Sequence, residues 1–294
     1  MLQTMQETPP IYLTTREVAE LLRVKERKVY DMAAAGEIPH RRITGKLLFP
    51  RAEVFAWIEG DGALRPPRRP ALLTGSHDPL LDWALRESGC GLASLLQGSA
   101  QGLESFAAGE AALAGLHIPS SGEGWNIESV AARELGHAVL ISWARRRRGL
   151  VLAPGMDARI KSFADLKGHR VARRQEGAGS AVLFAHLLGE HGLSEGDLSL
   201  SGATAHTEHD AAAAVAAGEA DAAIGLETLA RQFHLPFLPL VDEHFDLLID
   251  RRSYFTEPLQ LLLAFARGAQ VARKAQAMGG YDIGGLGEVR WLSP

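Results

Sequence analysis

The chain has 294 residues and a formal net charge of −4 at pH 7, and 46% of its residues are apolar. This length and apolar content predict two or three packed units. The charge excludes a surface coated with positive charge, so any contact with nucleic acid must come from a local patch. The single cysteine, Cys90, excludes an internal disulfide, and no apolar run approaches the roughly 18 residues that span a bilayer. Residues 1–10 have neither a basic nor an apolar leader segment, from which we expect a cytosolic protein without membrane insertion.

Residues 11–60 have the pattern of two short helices, a hairpin and a third helix. Thr14 precedes Glu17 at the spacing of a capping box, and apolar residues then recur at helical intervals. A second helix is predicted to stop at Gly36. The stretch HRRITGKLLFP alternates around Gly45–Lys46 as a small β-hairpin would, and RAEVFAWIEG returns to helical spacing.

These residues resemble the winged helix-turn-helix family of excisionase and MerR-like DNA-binding domains. The resemblance rests on LTTREVAELLRV, on VYDMAAAGEIPHRRITGKLLFPRAEVFAWI and on the Gly-Glu-Ile-Pro that joins the second helix to the wing. It implies DNA binding, with use of the same fold as a protein-protein adaptor as the alternative. Lys25 stands where the family usually has a serine-like cap, so we expect a less tightly fixed start of the second helix.

Basic residues at the start of the second helix and on the wing have the layout that phosphate neutralisation needs. Charge alone would fit an ordinary solvated surface, because residues 1–62 hold nine Lys and Arg against nine Asp and Glu. The prediction of DNA binding therefore rests on the sequence pattern of residues 11–60 and not on their charge. The candidate DNA contacts are Lys25, Arg27, Lys28, Arg41, Arg42 and Lys46.

A linker and a larger region follow. Residues 63–70 mix Gly, Pro and Arg without periodicity, which predicts a short, stiff connector. From Ala71 onward, strand-like runs alternate with helical ones, which predicts β-α-β units on a parallel sheet. HAVLISWA and RGLVLAPG are two such runs, and the predicted place of Arg145–Arg148 is a solvated hairpin end between them rather than a nucleic-acid patch. The alternation restarts after Pro154, which indicates two lobes.

This region, about residues 71–290, resembles the type II periplasmic-binding-protein superfamily, specifically its cytosolic branch attached to DNA-binding heads. It is also similar to the substrate domain of molybdate and tungstate binding proteins. The resemblance rests on LTGSHDPLL, GSAQGLESFAAGEAALAGLHIP, IKSFADLKGHRVARRQEGAGSAVLFAHLLGEHGL, TEHDAAAAVAAGEADAAIGLETLA and FLPLVDEHFDLLIDR. The resulting fold class is a small α+β winged helix-turn-helix head, residues 1–62, followed by a two-lobed α/β periplasmic-binding-protein-like (type II) domain, residues 71–294. Lobe I is expected at about residues 71–150 and 245–294, and lobe II at about 151–244.

The resemblance implies a ligand cleft lined by loops at the carboxyl ends of strands, where helix N-termini point inward. In lobe II the turn RQEGAGS, residues 174–180, leaves bare amides at a helix start and so predicts an anion site. No lysine follows this turn, which excludes a nucleotide-binding loop. A helix cap is the alternative role for each polar residue after a strand. The candidate ligand residues are Ser76, His77, Ser99, Arg174, Gly177, Gly179, Ser180, Thr207 and Glu243.

The ligand class stays open between two alternatives. An oxyanion such as molybdate or tungstate is favoured by the amides, the hydroxyl and the arginine of RQEGAGS. Carboxylates at Glu243 and Asp246 would repel an oxyanion and favour an organic solute that carries an amine or a hydroxyl. His117 and Glu227 also end strands, and we expect structural roles for both.

The motifs do not indicate catalysis. The sequence has no HExxH, no paired Cys ligands and no G-x-S-x-G elbow, and the spacing in HTEH, residues 206–209, does not match a zinc site. We therefore expect no enzyme, cofactor or metal. The sequence predicts a one-component, ligand-responsive transcription regulator that binds double-stranded DNA as a homodimer. The alternatives are a cytosolic solute-binding or buffering protein and a ligand-independent DNA-architectural factor of the excisionase type.

Overall fold

The computed structural model describes residues 10–58, 69–120 and 124–294. The chain divides into two compact units, residues 1–68 and 69–294. Residues 1–9, on which the expected location largely rests, and most of the predicted linker, residues 63–70, lie outside the described residues. In the part of the chain that the structure describes, no helix is long and apolar enough to cross a bilayer.

The first unit has the predicted order of helix, turn, helix, wing and helix. Thr14 and Glu17 close the predicted capping box: Glu17 Oε2 accepts from Thr14 N at 2.7 Å, and Thr14 Oγ1 accepts from Glu17 N at 3.3 Å. Lys25 provides no side-chain cap for the second helix, as its departure from the family pattern predicts. The elements are β1 (Tyr12–Thr14), α1 (Thr15–Leu22), α2 (Glu26–Ala34), β2 (Arg41–Ile43), β3 (Lys46–Pro50) and α3 (Arg51–Ala56).

The wing is a hairpin of β2 and β3 in an antiparallel sheet of order β1-β3-β2. Its turn lies at Thr44 and Gly45, whose φ angles are 49° and 80°, as a two-residue hairpin turn requires. The predicted turn around Gly45–Lys46 is displaced by one residue, because Lys46 already pairs with Ile43. The core of the unit is formed mainly by Leu13, Val18, Val29, Ile38, Phe49 and Val54.

The second unit alternates strands and helices around one mixed sheet. Its helices are α4 (Pro79–Ser88), α5 (Ser99–Ala107), α6 (Ile127–Ala131), α7 (Gly179–Glu190), α8 (Glu208–Ala216), α9 (Glu227–Gln232), α10 (Glu257–Ala266) and α11 (Ala269–Met278). Its strands are β4 (Leu72–Gly75), β5 (Ala93–Leu95), β6 (Leu113–Leu116), β7 (Ala138–Leu152), β8 (Arg170–Arg174), β9 (Ser199–Ala205), β10 (Ala222–Leu226), β11 (Phe237–Asp250), β12 (Tyr281–Asp282) and β13 (Val289–Leu292).

Two long strands cross between the lobes. The sheet order is β5-β4-β6-β11-β7-β10-β8-β9, with β12 and β13 also paired to β7. β5, β4 and β6 are parallel in lobe I, and β10, β8 and β9 are parallel in lobe II, whereas β7 and β11 pair antiparallel along nearly their whole lengths. The two-lobed fold is confirmed, but the sheet is mixed rather than parallel because both crossovers are single antiparallel strands.

The separation of HAVLISWA from RGLVLAPG into two runs was wrong. Both lie in β7, which has 15 residues without interruption. The motif FLPLVDEHFDLLIDR, which also has charged residues between two apolar runs, falls almost entirely in one strand, β11, of 14 residues. No hairpin end separates either pair, so the charged residues between the apolar runs lie in the middle of the sheet.

Close packing of glycines fixes the start of α5. A Cβ on Gly102 would lie 2.2 Å from Gly75 Cα, so α5 rests directly on the end of β4. In lobe II, α7 packs through Leu183, Leu187 and Leu188 into the core beside β8 and β10. The first turns of both helices are therefore held at the carboxyl ends of the strands.

Candidate ligand site

The N-termini of α5 and α7 meet between the lobes. A Cβ on Gly98, the residue before α5, would lie 3.2 Å from Gly177 O, and a Cβ on Gly179 would lie 2.5 Å from His117 Cε1. Gly98 and Gly177 also have φ angles of 102° and 77°, where glycine is strongly favoured. The first-turn amides of a helix have no acceptors inside it and favour anions. The two lobes therefore present donors towards each other in a closed arrangement.

Buried hydroxyls lie at these two helix starts. Ser76 Oγ and Ser99 Oγ are 2.8 Å apart, and His117 N donates to Ser99 Oγ at 3.0 Å. Across the cleft, Ser180 Oγ accepts from Arg174 Nε at 3.2 Å. All three serines are buried. The structure thus brings together residues that the sequence analysis placed after three different strands.

Arg174 stands apart from the other guanidinium groups of the cleft because its hydrogen-bond acceptors are neutral. Besides Ser180 it donates from Nη1 to Ala205 O at 3.0 Å. Among the described residues it has no ion-pair partner. Burial lowers the pKa of Arg174, which the more distant carboxylate of Glu208 opposes. A partly buried cation with neutral acceptors favours an anion nearby.

The four arginines of β7 alternate between two faces. Arg145 and Arg147 are exposed, whereas Arg146 and Arg148 are buried, with 1% and 0% of their surface accessible. The prediction of a solvated hairpin end was therefore wrong for Arg146 and Arg148. The period of two along the extended strand sends alternate side chains to opposite faces.

Arg146 and Arg148 belong to a buried chain of charges that runs from lobe I to lobe II. Arg146 donates to Asp78 at 3.0 Å and to Glu243. Arg148 Nε donates to Glu243 Oε2 at 2.6 Å, and Arg148 Nη1 donates to Glu208 Oε1 at 3.0 Å. Asp78 precedes α4 in lobe I, and Glu208 begins α8 in lobe II. The chain of ion pairs consequently joins both lobes through the crossover strands.

Glu243 is the centre of this chain. Burial would raise the pKa of Glu243, but the guanidinium groups of Arg146 and Arg148 hold it well below its usual value. Burial lowers the pKa of His117, whose Nδ1 lies 3.2 Å from Glu243 Oε2, so its imidazole is neutral near pH 7. Glu243 is therefore an ionised carboxylate that pairs with two arginines, which it shares with Asp78 and Glu208.

Asp78 and Asp246 both accept hydrogen bonds inside lobe I. Asp78 caps α4 by accepting from Leu81 N at 2.7 Å, and it also accepts from Trp143 Nε1 at 3.1 Å and Tyr281 Oη at 2.7 Å. Asp246 Oδ2 accepts from Asn126 Nδ2 at 2.7 Å and pairs with Arg290. Burial nevertheless raises the pKa of Asp246 to about 6.

A family model described as a PBP superfamily domain matches residues 82–267, and a helix-turn-helix domain model matches residues 12–62. The first match covers more than half of the chain. The chain belongs to the PBP superfamily. Its combination of a helix-turn-helix unit and a PBP domain fits a ligand-sensing DNA-binding regulator in general terms.

The individual relatives of this chain share little sequence identity with it. The uncharacterised protein YvgK of Bacillus subtilis (strain 168) is 26% identical over 267 residues, which cover 82% of this chain and 85% of that protein. The alkanesulfonate-binding protein SsuA from Xanthomonas axonopodis pv. citri, bound to MOPS, is 19% identical with a TM-score of 0.44, covering 71% of this chain and 77% of that one. PhnD1 from Prochlorococcus marinus (MIT 9301), in complex with methylphosphonate, is 10% identical with a TM-score of 0.47, covering 68% and 83%.

Several candidate residues lie at the margin of the PBP cleft or serve the fold. Thr207 is exposed and its Oγ1 accepts from Asp210 N at 3.0 Å. It therefore serves as the cap of α8, which is the alternative to a ligand contact. Gly177 is exposed in the turn before α7. His77 is half-buried, and its Nδ1 is buried without a hydrogen-bond partner among the described residues. Glu227 begins α9 and pairs with Arg147 and Arg231, as expected of a structural residue.

Residues that the sequence analysis missed are the buried arginines and their partners. Arg146 and Arg148 carry no alternating signal, because the residues of β7 on either side of the basic run are all buried. Tyr281 carries no local signal either. It joins Asp78 across 203 positions of sequence, and only the folded chain brings them together.

On the helix-turn-helix unit, all six candidate DNA contacts are exposed, and five of them form no ion pair with another described residue. Lys25, Arg27 and Lys28 lie at the start of α2, and the wing carries the others. Arg41 differs, because its Nη2 donates to Glu53 Oε1 at 2.8 Å. Tyr30, which the sequence analysis did not single out, is 52% exposed on α2. The exposed side of α2 therefore combines basic groups with one aromatic ring.

Proposed function

We propose that this chain is a one-component transcription regulator whose helix-turn-helix unit binds duplex DNA under the control of a small oxyanion held between the lobes of the PBP domain. The observation that carries the proposal is the convergence of three buried hydroxyls, on Ser76, Ser99 and Ser180, at two facing helix N-termini. A tetrahedral oxyanion accepts hydrogen bonds on all sides, and here hydroxyls from both lobes are available to donate to it.

The state of the charges supports an oxyanion held mainly by neutral donors. Arg146 and Arg148 already pair with Glu243, so they are not free to neutralise a guest. The same pairing offsets part of the charge of Glu243 and so weakens its repulsion of an anion. Asp246 is likewise occupied by Asn126 and Arg290. Hydroxyls, helix amides and Arg174 remain, which favours molybdate, tungstate or a similar oxyanion over an amine.

Closure of the lobes is the proposed switch. A ligand that contacts both helix N-termini binds only the closed form and shifts the population by its differential affinity. About 5.5 kcal/mol of differential binding moves a 1:99 equilibrium to 99:1. Because a single small head makes few base contacts, we propose that the protein acts as a homodimer on a two-fold site in the cytosol.

The first experiment measures thermal unfolding of the full chain with molybdate, tungstate, sulfate, phosphate, small organic acids and amines. A specific ligand at a hundredfold excess over its dissociation constant adds about 2.7 kcal/mol of stability. We expect one oxyanion to raise the midpoint, and Ser99→Ala and Ser180→Ala to reduce that shift. Ser105→Ala, which removes a hydroxyl further along α5, is the matched control. A rise of the unfolding midpoint with amines alone would refute the proposal that the ligand is an oxyanion.

The second experiment separates a regulator from a solute buffer. Duplexes bound by the full chain are selected from a random pool, and their affinity is measured with and without the oxyanion that raised the midpoint. A regulator changes its DNA affinity, whereas a tethered buffer binds the oxyanion and leaves DNA affinity unchanged. Ser180→Ala should bind DNA normally and respond less to the oxyanion.

A further inference from the structure

A groove runs along lobe II between α7 and the edge strand β9. It encloses about 260 Å³. Its apolar wall and floor come from α7 and from three neighbouring strands, and charged residues stand at its mouth and rim. The apolar residues that line it are Ala172, Ala181, Val182, Phe184, Ala185, Leu200 and Ile224.

β8 and β9, which border the groove, lose their register beside it. Val171 pairs with Leu200, but the next pair, Arg173 with Thr204, leaves extra residues on β9. Such a bulge disrupts the ladder locally and bends the strand. Val182, on the helix side of the groove, is 48% exposed.

Arg174 connects the groove to the ligand cleft. It lines the groove, and its Nε also donates to Ser180 Oγ. The hydrogen-bond acceptors of Arg174 are neutral oxygens, and no described carboxylate forms an ion pair with its guanidinium group. Arg173 differs, since it lies 3.8 Å from Glu195. Glu176 also lies at the mouth, exposed to solvent, where water screens its charge.

We propose that this groove is a second ligand site, which takes a small organic monoanion whose carboxylate pairs with Arg174 and whose compact apolar body lies against Val182, Ala185 and Leu200. A volume of about 260 Å³ is just below that of typical ligand pockets, so it suits a single ring or a short branched chain. The groove shares Arg174 with the oxyanion site, but its apolar lining lies outside that site and the proposal does not rest on the proposed function. Since Arg174 also donates to Ser180 Oγ at the start of α7, a carboxylate in the groove competes with Ser180 for the guanidinium group.

The test uses benzoate as the probe, with benzamide as its neutral isostere and acetate as an anion without the apolar body. Binding to the full chain is measured by saturation-transfer NMR, without oxyanion or DNA. We expect benzoate to bind at least about tenfold more tightly than either control, which is the scale of a charge-assisted hydrogen bond. Equal binding of benzoate and benzamide would overturn the role of Arg174.

Three variants locate the site. Arg174→Gln should abolish the preference for benzoate over benzamide, whereas Arg173→Gln, which removes the same charge from the neighbouring position, should keep it. Ala185→Phe fills the groove from an exposed position of α7, so it should weaken benzoate and benzamide together. This variant leaves Arg174 intact and so remains informative if Arg174→Gln unfolds. Unchanged benzoate binding in Ala185→Phe would show that the probe binds elsewhere.

Discussion

Buried charge is satisfied to different degrees at different residues of the PBP domain. Glu243 has two arginines and stays ionised, because the attraction of both exceeds the cost of burial. Asp246, three positions along β11, is also fully buried but relies on an amide and one arginine. Its Oδ1 has no hydrogen-bond partner among the described residues. Burial outweighs these contacts and raises the pKa of Asp246 to about 6.

Asp246 makes folding depend on pH in a defined window. In an unfolded chain its carboxyl loses the proton near pH 4, whereas in the folded protein it keeps it up to about pH 6. The stabilisation is complete below about pH 4 and is lost as the pH rises through about 6. We expect the free energy of unfolding of the wild type, measured in urea from pH 4 to pH 7, to fall by up to about 3 kcal/mol relative to Asp246→Asn.

Asp221→Asn supplies a control of opposite sign. A hydrogen bond from Arg170 lowers the pKa of Asp221, so its stabilisation is present above about pH 4 and is lost as the pH falls. The difference between the wild type and this variant should therefore shrink at low pH. Parallel pH curves for the wild type and Asp246→Asn would contradict the raised pKa of Asp246.

At the scale of elements, local signals predicted the helix starts and the order of elements. The capping box at Thr14 and the stop at Gly36, with its φ of 71°, depend on residues close in sequence. The merging of two runs into β7 was not predicted, because four consecutive arginines are typical of a solvated end. Arg146 and Arg148 can be buried because carboxylates at the start of α4, in α8 and in β11 pair with them. These partners lie 60 to 97 positions away in the sequence.

The candidate cleft shows the same division. Ser76, Ser99 and Ser180 were predicted because each follows a strand and begins or precedes a helix, which is a local pattern. Their convergence came from the family resemblance. Tyr281 and Asn126 were missed because their roles depend on tertiary contacts with Asp78 and Asp246.

The second helix of the head, α2, carries a prediction of its own. We expect Arg27→Ala with Lys28→Ala in the full chain to weaken binding to random-sequence duplex DNA and to reduce the slope of log affinity against log salt by about 1.8 for each head. The physical reason is that both exposed cations would release counterions from phosphates. Fluorescence anisotropy over a series of salt concentrations measures the slope.

A charge-matched control distinguishes contact from net charge. Arg159→Ala with Lys161→Ala removes two exposed cations from the PBP domain and changes the net charge equally. This pair should leave the slope unchanged. Equal loss of slope in both double variants would mean that overall charge, rather than the start of α2, attracts DNA.

At the scale of the whole PBP domain, two contacts of different chemistry join the lobes. The chain of ion pairs from Asp78 to Glu208 passes through the crossover strands, which both lobes share. The contact of Gly179 with His117, by contrast, joins one lobe directly to the other. A substitution that adds a Cβ at Gly179 therefore tests closure of the lobes without removing a charge.

Gly179→Ala should hold the lobes apart, because its Cβ would lie 2.5 Å from His117 Cε1 and 2.8 Å from His117 O, and the backbone oxygen cannot swing away. We expect faster hydrogen exchange in the peptides that cover residues 97–101 and 175–181. Gly189→Ala, in the same helix with no atom within 4 Å, is the matched control, and it should stabilise α7 by about 0.5–1 kcal/mol without changing exchange in the cleft. If both variants exchange like the wild type, the contact of Gly179 with His117 does not hold the cleft closed. If only Gly179→Ala opens the cleft and also loses the oxyanion-induced rise in the unfolding midpoint, then closure and binding are the same event.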